Sequence, residues 1–116
     1  MIGENAGNNF DKGNENTIIG YKSGPTGSNI SIIRNTIVGP SAGLHFVDGS
    51  TSNIAIGDSA GPALGDLTVH SNTMWLPPTL ATGTGSNTKT YLLVWDSDTG
   101  KVYPIDAGTV AFVPTV

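Results

Sequence analysis

The chain has 116 residues, of which 12% are charged, and its formal net charge is −4. Lys and Arg total only 5, which excludes the basic patch of a nucleic-acid-binding protein, and the absence of Cys excludes disulfides and thiolate metal sites. No apolar run approaches the roughly 20 residues of a membrane-spanning helix. Gly, Thr, Ser and Asn supply 50 of the 116 residues, a mixture that disfavours helix and favours turns joined by short strands.

A short unit that occurs four times organises residues 1–64, the predicted repeat region. In each copy a β-branched residue precedes one Gly, and a second Gly follows four positions later. The first glycines are spaced by 17, 19 and 18 residues, and such a nearly fixed period predicts stacked structural repeats. Two glycines so close together permit two tight turns. We therefore predict structural turns at Gly3, Gly7, Gly20, Gly24, Gly39, Gly43, Gly57 and Gly61.

Each of the three complete units opens with Asn, namely Asn16, Asn35 and Asn53. Asn tolerates left-handed backbone and can hydrogen-bond its own backbone, so we expect a turn there, followed by a short strand. Side chains alternate along a strand, and both faces are apolar in each copy, as at Ile18 and Ile19. A thin coil can cover only one of these faces, so the pattern predicts an oligomer.

Two regions follow the repeats. Residues 65–85 are interpreted as transition strands at 67–69 and 73–76, stopped by Pro77 and Pro78, and then a polar linker. Residues 86–116 are interpreted as a β-hairpin, with strands at 90–95 and 101–105 and with Gly100 at a left-handed loop position, followed by an extended tail. No window shows convincing helical periodicity, so the sequence predicts an all-β protein.

The Asn-Thr-Ile-Ile-Gly units resemble the repeats of trimeric phage tail fibres and of other viral or bacterial surface fibres. They are also similar to the head repeats of trimeric autotransporter adhesins, which share an Asn-x-x-Ile-Gly pattern. Residues 91–105 resemble the hairpin that precedes a self-cleaving intramolecular chaperone in many such fibres. The resemblance implies a homotrimeric fibre of β-roll or β-prism type. Met1 stands where the first unit should already have its strand, so we expect the sequence to be part of a longer chain.

The sequence signals for a metal site or a catalytic site are weak. Residues 96–100 have the Asp-x-Asp-x-Gly form of a calcium loop, but position 12 of that loop would be Ala107, which cannot ligate calcium. The Asp residues lie in predicted turns, with no sign that two converge as a glycosidase pair. Histidine is sparse, with His45 and His70 isolated from other ligands. We therefore expect no catalytic, cofactor or metal site, and no enzyme.

Aromatic side chains are the best candidates for recognition, because their faces stack on sugars. Trp75 lies before Pro77 and Tyr21 lies at a repeat corner, so we expect both to be exposed. With His70 they form the candidate ligand-binding set. The alternative for any of these aromatics is packing within the oligomer.

The sequence and the resemblance together predict a structural and receptor-binding segment of a virion fibre that attaches to a cell-surface saccharide. The expected partners are two further copies of the chain and a host receptor, without nucleic acid or membrane insertion. A bacterial trimeric adhesin at the cell surface is the alternative. A polysaccharide depolymerase spike is a third hypothesis, and it would require cleavage of the glycan.

Overall fold

The computed structural model describes residues 1–8, 12–78 and 91–106. The chain divides into two compact units, Met1–Ala81 and Thr82–Val116. The described residues are rich in strand and contain no helix, which agrees with the predicted all-β class. The linker predicted after residue 78 and the tail predicted after residue 106 lie outside the described residues.

The first unit is built on one parallel sheet of four short strands in the order β1-β2-β3-β4. The strands are β1 (Thr17–Ile19), β2 (Thr36–Val38), β3 (Ile54–Ile56) and β4 (Met74–Trp75). Parallel neighbours require a long connection, and here each connection returns through turns rather than through a helix. Each repeat is therefore one turn of a solenoid, and each strand is one rung.

Backbone hydrogen bonds join the turns on the other sides of the solenoid as well. Along one side, the Gly24 N–H donates to the Ala42 carbonyl and the Gly43 N–H donates to the Ala60 carbonyl, each at 2.8 Å. Along another side, parallel bridges pair Ile33 with Thr51. These bonds hold each turn to its neighbours on several sides and satisfy the backbone groups that form them.

The core is a narrow column inside the turns. The middle residue of β1, β2 and β3 and the second residue of β4 point inward, so Ile18, Ile37, Ala55 and Trp75 stack in register. The flanking strand residues point outward. The fully buried apolar side chains are Ile18, Ile32, Ile37, Ala42, Phe46, Ala55 and Ala60.

All eight glycines at which the sequence predicts turns have positive φ. The first glycines also stack on one another so closely that only hydrogen fits. A Cβ on Gly39 (φ +134°) would lie 2.5 Å from the Gly57 carbonyl oxygen, and a Cβ on Gly20 would lie 2.5 Å from that of Gly39. The glycines are therefore required both by conformation and by the spacing of adjacent turns.

The asparagines act differently from the prediction. Positive φ falls on the residue before each Asn, namely Glu15, Arg34 and Ser52, rather than on the Asn. The Asn side chains instead bond mainly between turns and form an asparagine ladder of Asn16, Asn35 and Asn53. Asn35 Nδ2 donates to Asn16 Oδ1 at 3.1 Å, and Asn53 Nδ2 donates to Asn35 Oδ1 at 3.0 Å. The Asn side chains therefore align successive turns.

The solenoid continues beyond residue 64, where the predicted repeat region ends. Residues 73–77 repeat the backbone path of the earlier units with different side chains. Thr73 takes the place of Asn, Trp75 takes the inward position and Pro77 takes the place of the corner Gly, where its ring occupies the space of a Cβ on Gly57. The strand predicted at 67–69 is wrong, because that segment forms no strand and Leu67 is largely exposed.

The second unit contains the predicted hairpin. Strands β5 (Tyr91–Trp95) and β6 (Val102–Asp106) pair antiparallel, with Trp95 opposite Val102. The Asp96 N–H donates to the Lys101 carbonyl at 2.9 Å and closes the loop. Gly100 has φ +71°, as the sequence predicts for its left-handed position.

Candidate functional site

Tyr21 is exposed at a corner of the solenoid, as predicted. It follows the crowded Gly20, so its side chain is directed away from the stack, and 49% of its surface is accessible. The Lys22 ammonium lies 5.1 Å from the centre of the Tyr21 ring, a cation–π distance. Tyr21 and Lys22 therefore form a joint aromatic and cationic feature on the outside of the first turns.

Trp75 does not form the exposed platform that the sequence predicts. It sits at the inward position of β4, next to Ala55 in the register, and packs against the core. Its ring meets Phe46 edge-on at 6.5 Å and His70 edge-on at 5.0 Å. The buried indole Nε1–H has no hydrogen-bond partner. Trp75 thus extends the core to the fourth rung.

His70 is half-buried beside Trp75. Its Nε2–H donates to Asp66 Oδ2 at 2.9 Å, and the other carboxylate oxygen of Asp66 accepts the Thr68 N–H at 2.9 Å. The backbone bond from Thr68, followed by the bond from His70, lowers the pKa of Asp66 from 3.8 to about 2. His70 and Trp75 are therefore together, whereas Tyr21 lies at the other end of the stack of rungs.

The Asp66 contacts predict a pH dependence of stability. Because the folded-state pKa is depressed, the stabilisation is fully present above 3.8 and is lost as the pH falls through about 2. Asp66→Asn should flatten the decline of the urea unfolding midpoint in that window. Asp58→Asn is the control, because among the described residues that carboxylate accepts a hydrogen bond only from the neighbouring Ser59 hydroxyl. Parallel acid profiles for wild type and Asp66→Asn would contradict this assignment.

In the acidic loop of the hairpin, a carboxylate oxygen accepts hydrogen bonds from backbone N–H groups of the same loop. Asp96 Oδ1 accepts the N–H groups of Asp98 at 2.8 Å and Thr99 at 3.4 Å, and the backbone bond from Asp98 is the main reason that the pKa of Asp96 is lowered. Across residues 1–8, 12–78 and 91–106, no three His, Cys, Asp or Glu side chains come together as a metal site.

The outward face of the parallel sheet carries a continuous apolar strip, the outer ladder, formed by Ile2, Ile19, Val38 and Ile56. Ile2 is 67% exposed and Ile56 is 43% exposed. Ile54, Met74 and Leu76 add exposed apolar surface beside it. The prediction that each strand has a second apolar face, which its own coil does not cover, agrees with this arrangement.

A cavity of about 370 Å³ opens on the first two turns, which is within the size range of ligand pockets. The described residues that line it are Asn5, Asn8, Lys22, Gly24, Pro25 and Thr26. Sequence reasoning missed this site, because it singled out aromatics. The available signal was a Lys directly after Tyr21 at a corner whose counterparts, Ser41 and Ser59, are small and neutral.

No protein-family profile, curated protein sequence or solved structure matches this chain. In the part of the chain that the structure describes, no helix is long and apolar enough to cross a membrane.

Proposed function

We propose that the chain is a structural and receptor-binding segment of a homotrimeric, phage-type virion fibre that attaches to a saccharide on a host cell surface. The observation that carries the proposal is the outer ladder. It extends from the first turn to β3, and its side chains remain partly or largely accessible although their chemistry favours burial.

Further copies of this chain are the partners that suit the outer ladder. Its side chains are spaced by the strand separation of about 4.8 Å, so an identical ladder on another copy has the matching period. The positions are aliphatic and carry no charge, which is the composition of a permanent interface core. Closed cyclic symmetry would bury all copies of the ladder together, and the resemblance of the repeats favours three copies.

A trimeric arrangement also suits attachment through weak sites. Three linked sites can raise avidity by about 10²–10⁴ without any new contact. Exposed polar and aromatic groups at the corners, such as Tyr21, are available for sugar hydroxyls and ring faces. The parallel rungs would serve as a stiff support for these corners.

The assembly is tested by light scattering on the purified protein at micromolar concentration. We expect a mass three times the 11.9 kDa of one chain. Ile56→Asp should dissociate the trimer, because it places a charge in the apolar interface. Asp58→Ala is the control, because it changes an exposed corner next to the same strand. A well-folded wild-type monomer would refute the assembly.

Receptor binding is tested by incubating fluorescently labelled trimer with candidate host cells. We expect saturable attachment that soluble host glycan reduces, and we expect the dissociated Ile56→Asp protein to attach far less because avidity is lost. If the wild-type trimer attaches to no cells and no glycans, the receptor-binding part of the proposal is wrong and the segment acts as a fibre shaft.

A further inference from the structure

The cavity on the first two turns offers one cation without a counter-charge. Lys22 makes no ion pair among the described residues, whereas Arg34, on the same solenoid, is neutralised by Glu15 at 2.8 Å. The ring of Tyr21 lies beneath the Lys22 ammonium and limits its position without neutralising it. An ammonium in this setting attracts a carboxylate by a charge-assisted hydrogen bond.

The repeat geometry places the polar groups of the cavity together. Asn5 and Lys22 occupy equivalent corners of adjacent turns, with φ +58° and +52°. The Lys22 N–H donates to the Glu4 carbonyl at 3.0 Å, so the two corners are held one rung apart. Both side chains therefore start from fixed backbone on the same side of the solenoid, as a preorganised site requires.

The amides of the cavity supply complementary hydrogen-bonding groups. Asn8 Nδ2 donates to Asn5 Oδ1 at 3.2 Å, which orients both amides. The Asn5 amide N–H₂ and the Asn8 carbonyl oxygen then have no side-chain or backbone partner among the described residues. A free donor beside a free acceptor matches two neighbouring hydroxyl groups of a sugar, each of which can donate and accept.

The later turns do not reproduce this chemistry. At the corner position of Asn5 and Lys22 they carry Ser41 and Ser59, and at the position of Asn8 they carry Leu44 and Pro62. The corner residues of all four turns have the same left-handed backbone, so the ammonium and the amides of the cavity result from the side chains of the first two turns and not from the architecture. This contrast favours a ligand site over a structural role for these residues.

We propose that the cavity of Asn5, Asn8 and Lys22 binds an acidic monosaccharide unit of a host glycan, with its carboxylate on Lys22 and vicinal hydroxyls on the two amides. The inference rests on the proposed function and adds to it the class of saccharide and the position of the site. It also replaces Trp75 by Lys22 and the two amides as the residues that recognise the glycan.

The experiment uses sodium glucuronate and glucose as matched probes, because they differ by a carboxylate in place of a hydroxymethyl group. Each is titrated into ¹⁵N-labelled wild-type protein, and backbone amide shifts are recorded. We expect saturable shifts at Asn5, Lys22 and Gly24 with glucuronate and at least about tenfold weaker binding of glucose, because an ionic hydrogen bond is lost. Acetate, which has the carboxylate without the sugar, should bind more weakly than glucuronate.

Three variants identify the groups involved. Lys22→Gln should weaken the binding of glucuronate by about tenfold or more and leave the binding of glucose nearly unchanged. Asn8→Ala should weaken both sugars to a similar degree, since both have the hydroxyls. Lys101→Gln, which removes the same charge from the hairpin unit, is the control and should change neither. Circular dichroism spectra that match wild type would establish that the variants are folded.

Equal binding of glucose and glucuronate, or acetate binding as tight as glucuronate, would overturn the proposal. So would glucuronate shifts that persist in Lys22→Gln. If no probe binds while the trimer still attaches to cells, the site is wrong and the proposed function stands. If glucuronate binds at this cavity while the trimer attaches to no cells, the site is right and the attachment function is wrong.

Discussion

Gly39→Ala is expected to remove most of the soluble, folded protein, although it adds a single methyl group. The added Cβ would lie 2.5 Å from the carbonyl oxygen and 2.7 Å from the carbonyl carbon of Gly57. Both atoms belong to the backbone of the next turn, so relief requires the turns to separate. The backbone conformation at φ +134° adds strain of about 1–3 kcal/mol for a residue other than glycine.

Gly65→Ala is the matched control for this prediction. Gly65 also has positive φ, at +88°, but a Cβ there would meet nothing within 4 Å. We expect this variant to lose only about 1–2 kcal/mol of unfolding free energy from left-handed strain. The measurement is the soluble yield and the urea midpoint of both variants. Equal losses would mean that conformation alone matters and that the stacking of Gly39 on Gly57 does not.

Asn35→Ala is expected to be the most damaging polar substitution in the solenoid. Asn35 Oδ1 accepts the backbone N–H of Asn53 at 2.9 Å and the Asn53 side chain at 3.0 Å. Asn35 Nδ2 contacts Asn16 Oδ1 and the carbonyls of Ile33 and Ser50 at 3.1–3.2 Å. The side chain is fully buried, so water cannot replace these bonds.

The expected cost follows from the groups that remain. The Asn53 N–H would stay buried without its acceptor, and an unpaired buried group costs about 1–3 kcal/mol. The side-chain bonds of Asn35 to Asn16, Ser50 and Asn53 would also be lost, and each such bond contributes about 0.5–1.5 kcal/mol. We therefore expect a loss of about 3 kcal/mol or more in unfolding free energy, a large part of the total stability of a small domain.

Asn14→Ala provides the comparison. Asn14 is exposed, and its bond to the next turn is made by its backbone carbonyl, which accepts the Arg34 N–H at 3.0 Å and which the substitution keeps. We expect this variant to change stability by no more than about 0.5 kcal/mol. Urea unfolding monitored by circular dichroism measures both variants. Wild-type stability of Asn35→Ala would show that the asparagine ladder does not hold the turns together.

The predictions for the Asp66–His70 contact and for the cavity concern two separate regions of the same solenoid. Asp66 and His70 belong to the last turn, whereas Asn5 and Lys22 belong to the first two. Substitutions in one group should leave the readout of the other unchanged, because distant sites with no shared partners behave additively. A change in glucuronate affinity on Asp66→Asn would indicate that the turns are coupled.

The sequence by itself determined the rungs and the corners. Strands at 17–19, 36–38 and 54–56 and the eight turn glycines follow from local properties, namely β-branched residues that favour extended backbone and glycines that permit positive φ. The hairpin follows in the same way from a turn-forming segment between two apolar strands, with Gly100 in the left-handed region. Local preferences of this kind need no knowledge of the neighbours in space.

Only the tertiary structure decided what depends on register between turns. Residues 73–77 lack the Asn and Gly of the repeat, so their place as a fourth rung is visible only from the pairing of Ala55 with Trp75. That pairing directs Trp75 inward and removes it from the surface. The asparagine ladder and the cavity of Asn5, Asn8 and Lys22 likewise join residues about one turn apart in sequence. Such contacts are set by how the turns stack, which no single segment encodes.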